Sequence, residues 1–265
     1  MKEWKLIVDK IPLKGSLNMA VDEYLFRSLE ENYQTYLRFY QWEKPTVSLG
    51  YFQNIGKVID VDYCQEHGID IVRRITGGKL VLHHKEITYS VCSSDNKTFT
   101  PRLADSYKLI SQALMLGLAN MGLNPSLAAD PPSAYVRGNL PCFSYPARNE
   151  IEVKGKKIVG SAQKRIGTHF IQHGSIPLEE DEGLLGLVSS LKEKESKVRM
   201  TSLFQALRRK VRFEWAVEHL TAGFSEYFGV RLKPRIFNER EMERIFKIQT
   251  QRYENRDWTF FQKES

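Results

Sequence analysis

Three groups of residues in this chain have types and spacings that can do chemistry: Cys142, Lys157, and a glycine pair preceded by two arginines. Cys142 lies in Pro141-Cys142-Phe143-Ser144-Tyr145-Pro146, a proline-flanked, loop-like stretch. A thiolate is the reactive form of cysteine, and neighbouring cations lower a thiol's pKa. Lys157 precedes Gly160-Ser161-Ala162-Gln163, where small residues let a ligand approach the backbone closely. Arg73-Arg74-Ile75-Thr76-Gly77-Gly78 runs on to His83. On its own this stretch has two readings: a ligand-binding loop with fixed positive charge, or a Gly-Gly turn with exposed arginines. His83, His169 and His173 are candidate acid–base groups, although His173, before Gly174-Ser175, also suits a core position. No Ser-His-Asp order stands out, no paired carboxylates occur in a motif, and there is no Walker A loop or GxGxxG. No His/Cys cluster has zinc-ligand spacing, so no metal site is expected.

The other two cysteines, Cys64 and Cys92, fall in a helix-like and a strand-like segment and read as small buried hydrophobes. Three scattered cysteines do not make a disulfide framework. The opening residues are too charged for a signal peptide, and no run approaches the ~20 apolar residues of a membrane span. A cytoplasmic protein is expected, with no membrane partner. The net charge of +7 calls for an acidic partner. The densest basic segment, containing Arg208, Arg209, Lys210 and Arg212, reads as a solvated helix face. No aromatic-interleaved RNA motif, zinc finger or basic zipper supports nucleic acid as that partner.

The positioning elements follow from pattern. Trp4 to Asp9 reads as a strand, and Ser16 as the cap of a helix reaching about Glu31. Leu17, Ala20, Val21, Tyr24, Leu25 and Leu29 share one face of that helix. Asn18 and Asp22 lie on another and read as surface polarity or a contact to a neighbouring loop. Strands are expected at Thr35–Trp42, Thr46–Tyr51, Ile69–Arg74, Lys79–His83 and Ile87–Val91, with a short helix near Asp62–His67. In the first strand Leu37, Phe39 and Gln41 alternate with Arg38, Tyr40 and Trp42. Thr100-Pro101 marks a helix start and Gly122 its end. A hairpin turns at Lys154-Gly155, with Lys157 and Val159 expected on one face and Lys156 and Ile158 on the other. A strand follows at Thr168–Ile176, then a helix from Phe213 to Gly229. A capping box begins the next helix at Asn238-Glu239-Arg240-Glu241. The tail, Asp257 to Phe261, is expected to add a strand or pack over the core. The fold class is α+β: a mixed, largely antiparallel sheet with packed helices. Residues 1–265 form one catalytic-domain unit, of which 200–265 is a mainly helical C-terminal part.

Together these motifs resemble the biotin/lipoate protein ligase superfamily. Arg73, Arg74, Thr76, Gly77 and Gly78 with His83 are similar to its acyl-binding loop. Lys157, Gly160, Ser161 and Ala162, followed by His173 and Gly174, are similar to its second signature. Asn18 to Glu23 adds to the resemblance, which runs from the first helix to the tryptophan-containing tail. Cys142 with its flanking prolines, and Leu82-His83 through Ser90, resemble the LipM-type octanoyltransferases within the superfamily. Ile75, Lys79-Leu80 and Ala147-Arg148-Asn149 depart from that type, and the second of these bears on acyl-chain preference. The resemblance implies a catalytic-domain fold of the biotin/lipoate ligase type. It implies octanoyl transfer from acyl carrier protein, through a Cys142 thioester, to a lysine of a lipoyl domain or the glycine-cleavage H protein. Lys157 would stand near the carbonyl, Leu80 and Leu82 would line an acyl tunnel, and no cofactor would be required. Two alternatives stay open: an ATP- and magnesium-dependent lipoate–protein ligase, lipoate–protein ligase A-like, with Lys157 on the adenylate; and an inactive acyl- or carrier-binding protein.

Overall fold

Leu37 and Phe39 project to one side of their strand, while Tyr36, Arg38 and Tyr40 project to the other, so this strand needs cover on both faces. A computed structural model of the chain, describing residues 1–128, 150–190 and 200–263, supplies both covers. The strands are β1 (Lys2–Val8), β2 (Thr35–Tyr40), β3 (Thr46–Leu49), β4 (Asp70–Arg73), β5 (Val81–His83), β6 (Glu86–Ser93), β7 (Pro125–Leu127), β8 (Ile151–Val153), β9 (Lys156–Ile166), β10 (His169–Pro177) and β11 (Val230–Pro234). The main sheet has the order β11-β1-β2-β6-β10-β9-β8-β7. Its β11–β1 and β1–β2 pairs are parallel and the rest antiparallel. A second sheet, β4-β3-β5, pairs β3 parallel to β4 and antiparallel to β5. The architecture is therefore the expected mixed α+β class.

The helices are α1 (Gly15–Ser28), α2 (Ile55–Val58), α3 (Val61–Glu66), α4 (Leu103–Asn120), α5 (Glu182–Val188), α6 (Leu203–Leu207), α7 (Phe213–Phe228), α8 (Glu239–Ile248) and α9 (Arg256–Phe261), with a π-helical turn at Gln249–Tyr253. Helices α4 and α7 bury Ile110, Leu114, Leu118, Leu220 and Phe224 with Leu37, Phe39 and Val91 of the main sheet. On the opposite face α1 buries Met19, Val21 and Leu25 with Tyr36, Tyr40 and Ile171. A third cluster lies under the small sheet, around Val47, Leu49, Ile59, Leu80 and Val188.

Local chemistry sets several boundaries. Lys154 and Gly155 both have positive φ, which makes the tight turn between β8 and β9. The Asn238–Glu241 capping box is present in full at the start of α8. Other expectations need correction. Ser16 does not cap α1; it lies inside the first turn, and its hydroxyl accepts from the Gln249 side chain. Helix α4 begins at Leu103, because the Thr100 hydroxyl is spent on the Asp105 side chain. The alternation expected of Lys157 and Val159 fails: β9 bulges opposite Ile151 and Glu152, and residues 157 to 160 are all buried. Of the two outcomes expected of the tail, it packs over the core through Trp258, as helix α9 and not as a strand. The basic residues Arg208, Arg209, Lys210 and Arg212 are exposed, but they follow the short helix α6 and do not form a helix face.

Candidate active site

A cleft opens between the two sheets where the predicted motifs converge. Met19 of α1, Tyr40, Trp42 and Val81 give it apolar lining, and the Gly160-Ser161-Ala162 and His173-Gly174-Ser175 stretches of β9 and β10 line it too. Ser48, Arg74, His83 and Thr88 supply polar groups. Two glycines make this geometry possible. A Cβ on Gly174 would sit 2.6 Å from both the Gly160 carbonyl and the Ser161 hydroxyl. A Cβ on Gly50, which no motif singles out, would lie 1.9 Å from the carbonyl of Gly78, itself at φ +93°. Only a residue without a side chain lets the Gly77-Gly78 loop fold back on the end of β3.

The two arginines of that loop have separate tasks, and neither is an exposed charge on a turn. Arg73 does not line the cleft. Its Nε donates to the Trp258 and Thr259 carbonyls at 3.2 and 3.0 Å, and Nη1 donates to those of Gly50, Tyr51 and Gln53. The expected ligand-binding role is thus replaced by a clamp between the C-terminal helix and the 50–53 loop. Arg74 borders the cleft and holds the loop to β3, donating to the Ser48 carbonyl and hydroxyl and to the carbonyls of Gly77 and Lys79. Leu80 and Leu82 also depart from expectation. Strand alternation turns Val81 and His83 to the cleft and sends both leucines to the third core cluster.

Two hydrogen-bonded chains meet the cleft. The first starts at Asp22, which is buried in α1 with Asn18 and is not surface polarity. Asp22 Oδ1 accepts from Arg38 Nη1 at 2.8 Å and Ser90 Oγ at 3.0 Å; Oδ2 accepts from Tyr40 Oη at 3.0 Å and His173 Nδ1 at 3.1 Å. Asn18 adds its Oδ1 and backbone carbonyl to the Arg38 guanidinium, and Asp9 supplies a second carboxylate. Burial opposes the charge on Asp22, yet the hydrogen bond from His173 and the Arg38 charge outweigh it, and the carboxyl sits below its ordinary pKa. Burial lowers the His173 pKa more than Asp22 raises it, so the ring is neutral at physiological pH. Its Nε2 lies 2.7 Å from Thr76 Oγ1, which ties the arginine–glycine loop to β10. His173 is therefore a post between α1 and the loop.

The second chain runs through Glu86, buried on β6. His83 Nδ1 lies 2.8 Å from Glu86 Oε1, and His83 Nε2 lies 2.8 Å from Ser48 Oγ. The Thr88 and Ser175 hydroxyls also donate to Glu86, and Trp42 Nε1 donates to Thr88 Oγ1 at 2.7 Å. The Trp42 indole stacks on His83 at 4.0 Å between centroids. This Ser-His-Glu order was present in the sequence but spread over β3, β5 and β6, and only the small sheet brings Ser48 opposite Val81, two residues before His83.

Lys157 is fully buried and donates to Glu150 Oε1 at 2.7 Å, its backbone carbonyl accepting from Thr201. It is not among the residues lining the cleft. Ser161 Oγ pairs with Tyr89 Oη at 2.7 Å, and Gln172 donates to the same phenol. His169 lies apart from the cleft, packed against Phe26. Cys142 lies outside the described residues. Burial pushes the Cys64 thiol up to about 11 and the Cys92 thiol well above its usual value. Among the described residues no His/Cys/Asp/Glu group is placed to hold a metal ion, and no helix is long and apolar enough to cross a membrane.

Residues 14–225 match the family model of the lipoyl protein ligase A/B catalytic domain. The chain belongs to that family. Octanoyltransferase LipM of Carboxydothermus hydrogenoformans is 34% identical to this family member, covering 98% of this chain and 99% of that protein. Octanoyltransferase LipM of Bacillus anthracis is 35% identical, covering 92% and 94%. Among solved structures, a lipoate-protein ligase A bound with ATP superimposes with a TM-score of 0.84 at 22% identity, over 97% of this chain and 98% of the other. A bi-partite lipoate protein ligase from Thermoplasma acidophilum gives 0.83 at 21%, over 100% and 99%. These likenesses establish the fold as that of the lipoate ligases.

Proposed function

We propose that this enzyme is an octanoyltransferase of protein lipoylation. It takes octanoyl from the phosphopantetheine thioester of acyl carrier protein and delivers it, through a thioester on Cys142, to a lysine of a lipoyl domain or of the glycine-cleavage H protein. The observation that carries this reading is identity of about a third with octanoyltransferases along nearly the whole of both chains, well beyond the site motifs.

The chemistry of the site supports it. The cleft carries apolar lining at Met19, Tyr40, Trp42 and Val81, the chemistry that an acyl chain requires. Cys64 and Cys92 are buried with raised thiol pKa values, so neither supplies a thiolate at neutral pH. This supports Cys142 as the proposed nucleophile. Lys157, its charge balanced by Glu150, is the cation proposed to steady the thiolate and the developing oxyanion. Backbone N–H groups around Gly77-Gly78 and Gly160-Ser161 would complete that stabilisation. Exchange of one thioester for another is nearly balanced, and amide formation from a thioester is downhill, so the reaction requires neither ATP nor another cofactor. The net charge of +7 favours acidic partner domains.

Incubation with octanoyl-acyl carrier protein, followed by intact-mass spectrometry, tests the reading. A covalent octanoyl adduct is expected on the wild type and absent from Cys142→Ser. No adduct on the wild type, an undiminished adduct on the variant, or transfer of free lipoate that needs magnesium-ATP and survives loss of Cys142 would overturn it.

A further inference from the structure

The Ser48–His83–Glu86 chain has a feature that the transfer scheme leaves unused: it runs from a buried carboxylate to a hydroxyl that lines the cleft. Arg74 can only donate, so Ser48 Oγ accepts from Arg74 Nη1 at 3.0 Å. At the other end Glu86 is a carboxylate acceptor, so His83 Nδ1 carries its proton toward it at 2.8 Å. In the neutral ring Nε2 is then the unprotonated nitrogen and accepts from the Ser48 hydroxyl at 2.8 Å. The Glu86 end is pinned the same way. Trp42 Nε1 can only donate to Thr88, so the Thr88 proton goes to Glu86, joined by that of Ser175. Glu86 accepts throughout and is positioned to stabilise a positive charge on His83. The stacked Trp42 indole holds the imidazole plane. Both Ser48 and His83 line the cleft, whereas Thr76, at the corresponding point of the Asp22–His173 chain, does not. The Asp22 chain is therefore a brace, and the Glu86 chain is a base with an open end.

We infer that Ser48–His83–Glu86 is the proton relay for the second half of the reaction, the attack of the acceptor lysine on the enzyme-bound thioester. The inference rests on the transfer reading above. An amine attacking a thioester forms a C–N bond and becomes a positively charged nitrogen that must lose a proton before the amide is stable. That proton passes to Ser48 Oγ as the Ser48 proton moves to His83 Nε2, giving an imidazolium held by Glu86. The C–S bond then breaks, the sulfur leaving as a thiolate, and the imidazolium releases its proton to solvent. No oxidant, reductant or other co-reactant is needed. The charged and titratable groups around His83 are Glu86 at Nδ1, Arg74 beyond Ser48, and His173 on β10.

The test separates the two half-reactions. Wild type, Ser48→Ala and Glu86→Gln are each loaded from octanoyl-acyl carrier protein, and the adduct is quantified by mass. A lipoyl domain is then added and amide formation is followed. Loading of both variants is expected within a few-fold of wild type. Transfer to lysine at neutral pH is expected to fall by about 10²- to 10⁴-fold, the usual contribution of a general base. At about pH 10, near the lysine amine's own pKa, solvent hydroxide replaces the relay and the deficit should narrow to less than about tenfold. Wild-type transfer by both variants overturns the relay, as does a deficit that is equal at both pH values or that equals the loss in loading, since those mark a structural role. If the wild type acquires no adduct, the transfer reading falls and the relay falls with it. A wild type that loads beside variants that transfer normally defeats the relay alone.

Discussion

Asp22→Asn is the substitution whose consequence follows most directly from the geometry. Asp22 receives four donors, two on each carboxylate oxygen. An amide of the same shape turns one oxygen into a donor, so two of the four partners must adapt whichever way it faces. Facing Arg38 and Ser90, the amide nitrogen would meet a guanidinium that cannot accept. The cheaper orientation points it at Tyr40 and His173: the phenol rotates, His173 changes tautomer, and the Thr76 hydroxyl reverses to accept from Nε2. Even then Arg38 keeps only Asp9 as a carboxylate, at 2.7 Å. One strained buried donor and the partial loss of a buried ion pair together predict a destabilisation of about 2–4 kcal/mol. Urea unfolding at neutral pH, followed by tryptophan fluorescence, should show this as a lower midpoint with an unchanged slope. A second arm uses acid. His173 has a folded pKa below the ordinary value of 6.5, so the unfolded chain takes up the proton first. Its contribution is full above 6.5 and is lost as pH falls toward the folded value, with a limiting slope of about 1.4 kcal/mol per pH unit. The Asp22 pKa is depressed too, so its contribution is full above 3.8 and is lost as pH falls through the folded value. His173→Gln should remove the first window and shrink the second, because the His173 hydrogen bond is part of what depresses Asp22. A loss under about 1 kcal/mol in Asp22→Asn, or the same acid profile with and without His173, would refute the account of this chain as a buried brace.

Further expectations concern other parts of the site. Arg73→Lys cannot reach all the carbonyls that the guanidinium serves; it should cost about 1.5–3 kcal/mol and raise hydrogen exchange at both residues 50–53 and 258–259. Unchanged exchange at either segment would show that Arg73 is not the clamp. Gly50→Ala should destabilise by at least about 1–3 kcal/mol, because its Cβ meets the Gly78 carbonyl at 1.9 Å. Gly77→Ala, whose Cβ meets nothing within 4 Å, should melt within a degree or so of wild type; the reverse order in thermal melts would contradict the packing described. In the native protein Cys64 and Cys92 should alkylate only slowly with iodoacetamide at neutral pH. Cys142→Ser should then abolish any fast-labelling thiol, and fast labelling that persists in that variant would place a reactive thiol at Cys64 or Cys92.

The regular elements were legible wherever a local rule governs them. Alternation in Thr35–Tyr40, the Lys154-Gly155 turn, and the Asn238 and Glu241 capping pair depend on neighbours a few residues away, and all three appear as the sequence suggests. Ser16 and Thr100 failed as caps because each hydroxyl found a side-chain partner, one of them distant in the chain. For Asn18 and Asp22 the loop contact holds, since the Asn18 amide donates to the Leu13 and Gln41 carbonyls, but the surface reading fails for a related reason. A polar pair on the side of an apolar stripe looks solvated until Arg38, from a strand beyond the helix, arrives to neutralise it.

For the site, the sequence by itself determined which residues are special. Arg73, Arg74, Thr76, Gly77, Gly78 and His83, with Lys157 and Gly160 to Ala162, were picked out by type and spacing. It also determined the family to which those motifs point. Tertiary structure decided what the described members of that set do. Two adjacent arginines separated into a clamp facing the C-terminal helix and a cleft-side tie to Ser48. Two histidines took different roles because one faces a buried threonine and the other a cleft-side serine. Gly50 became indispensable only through a carbonyl 28 positions later in the chain. Hydrogen-bond direction and steric contact depend on which groups meet across strands, and strand pairing is a property of the whole chain.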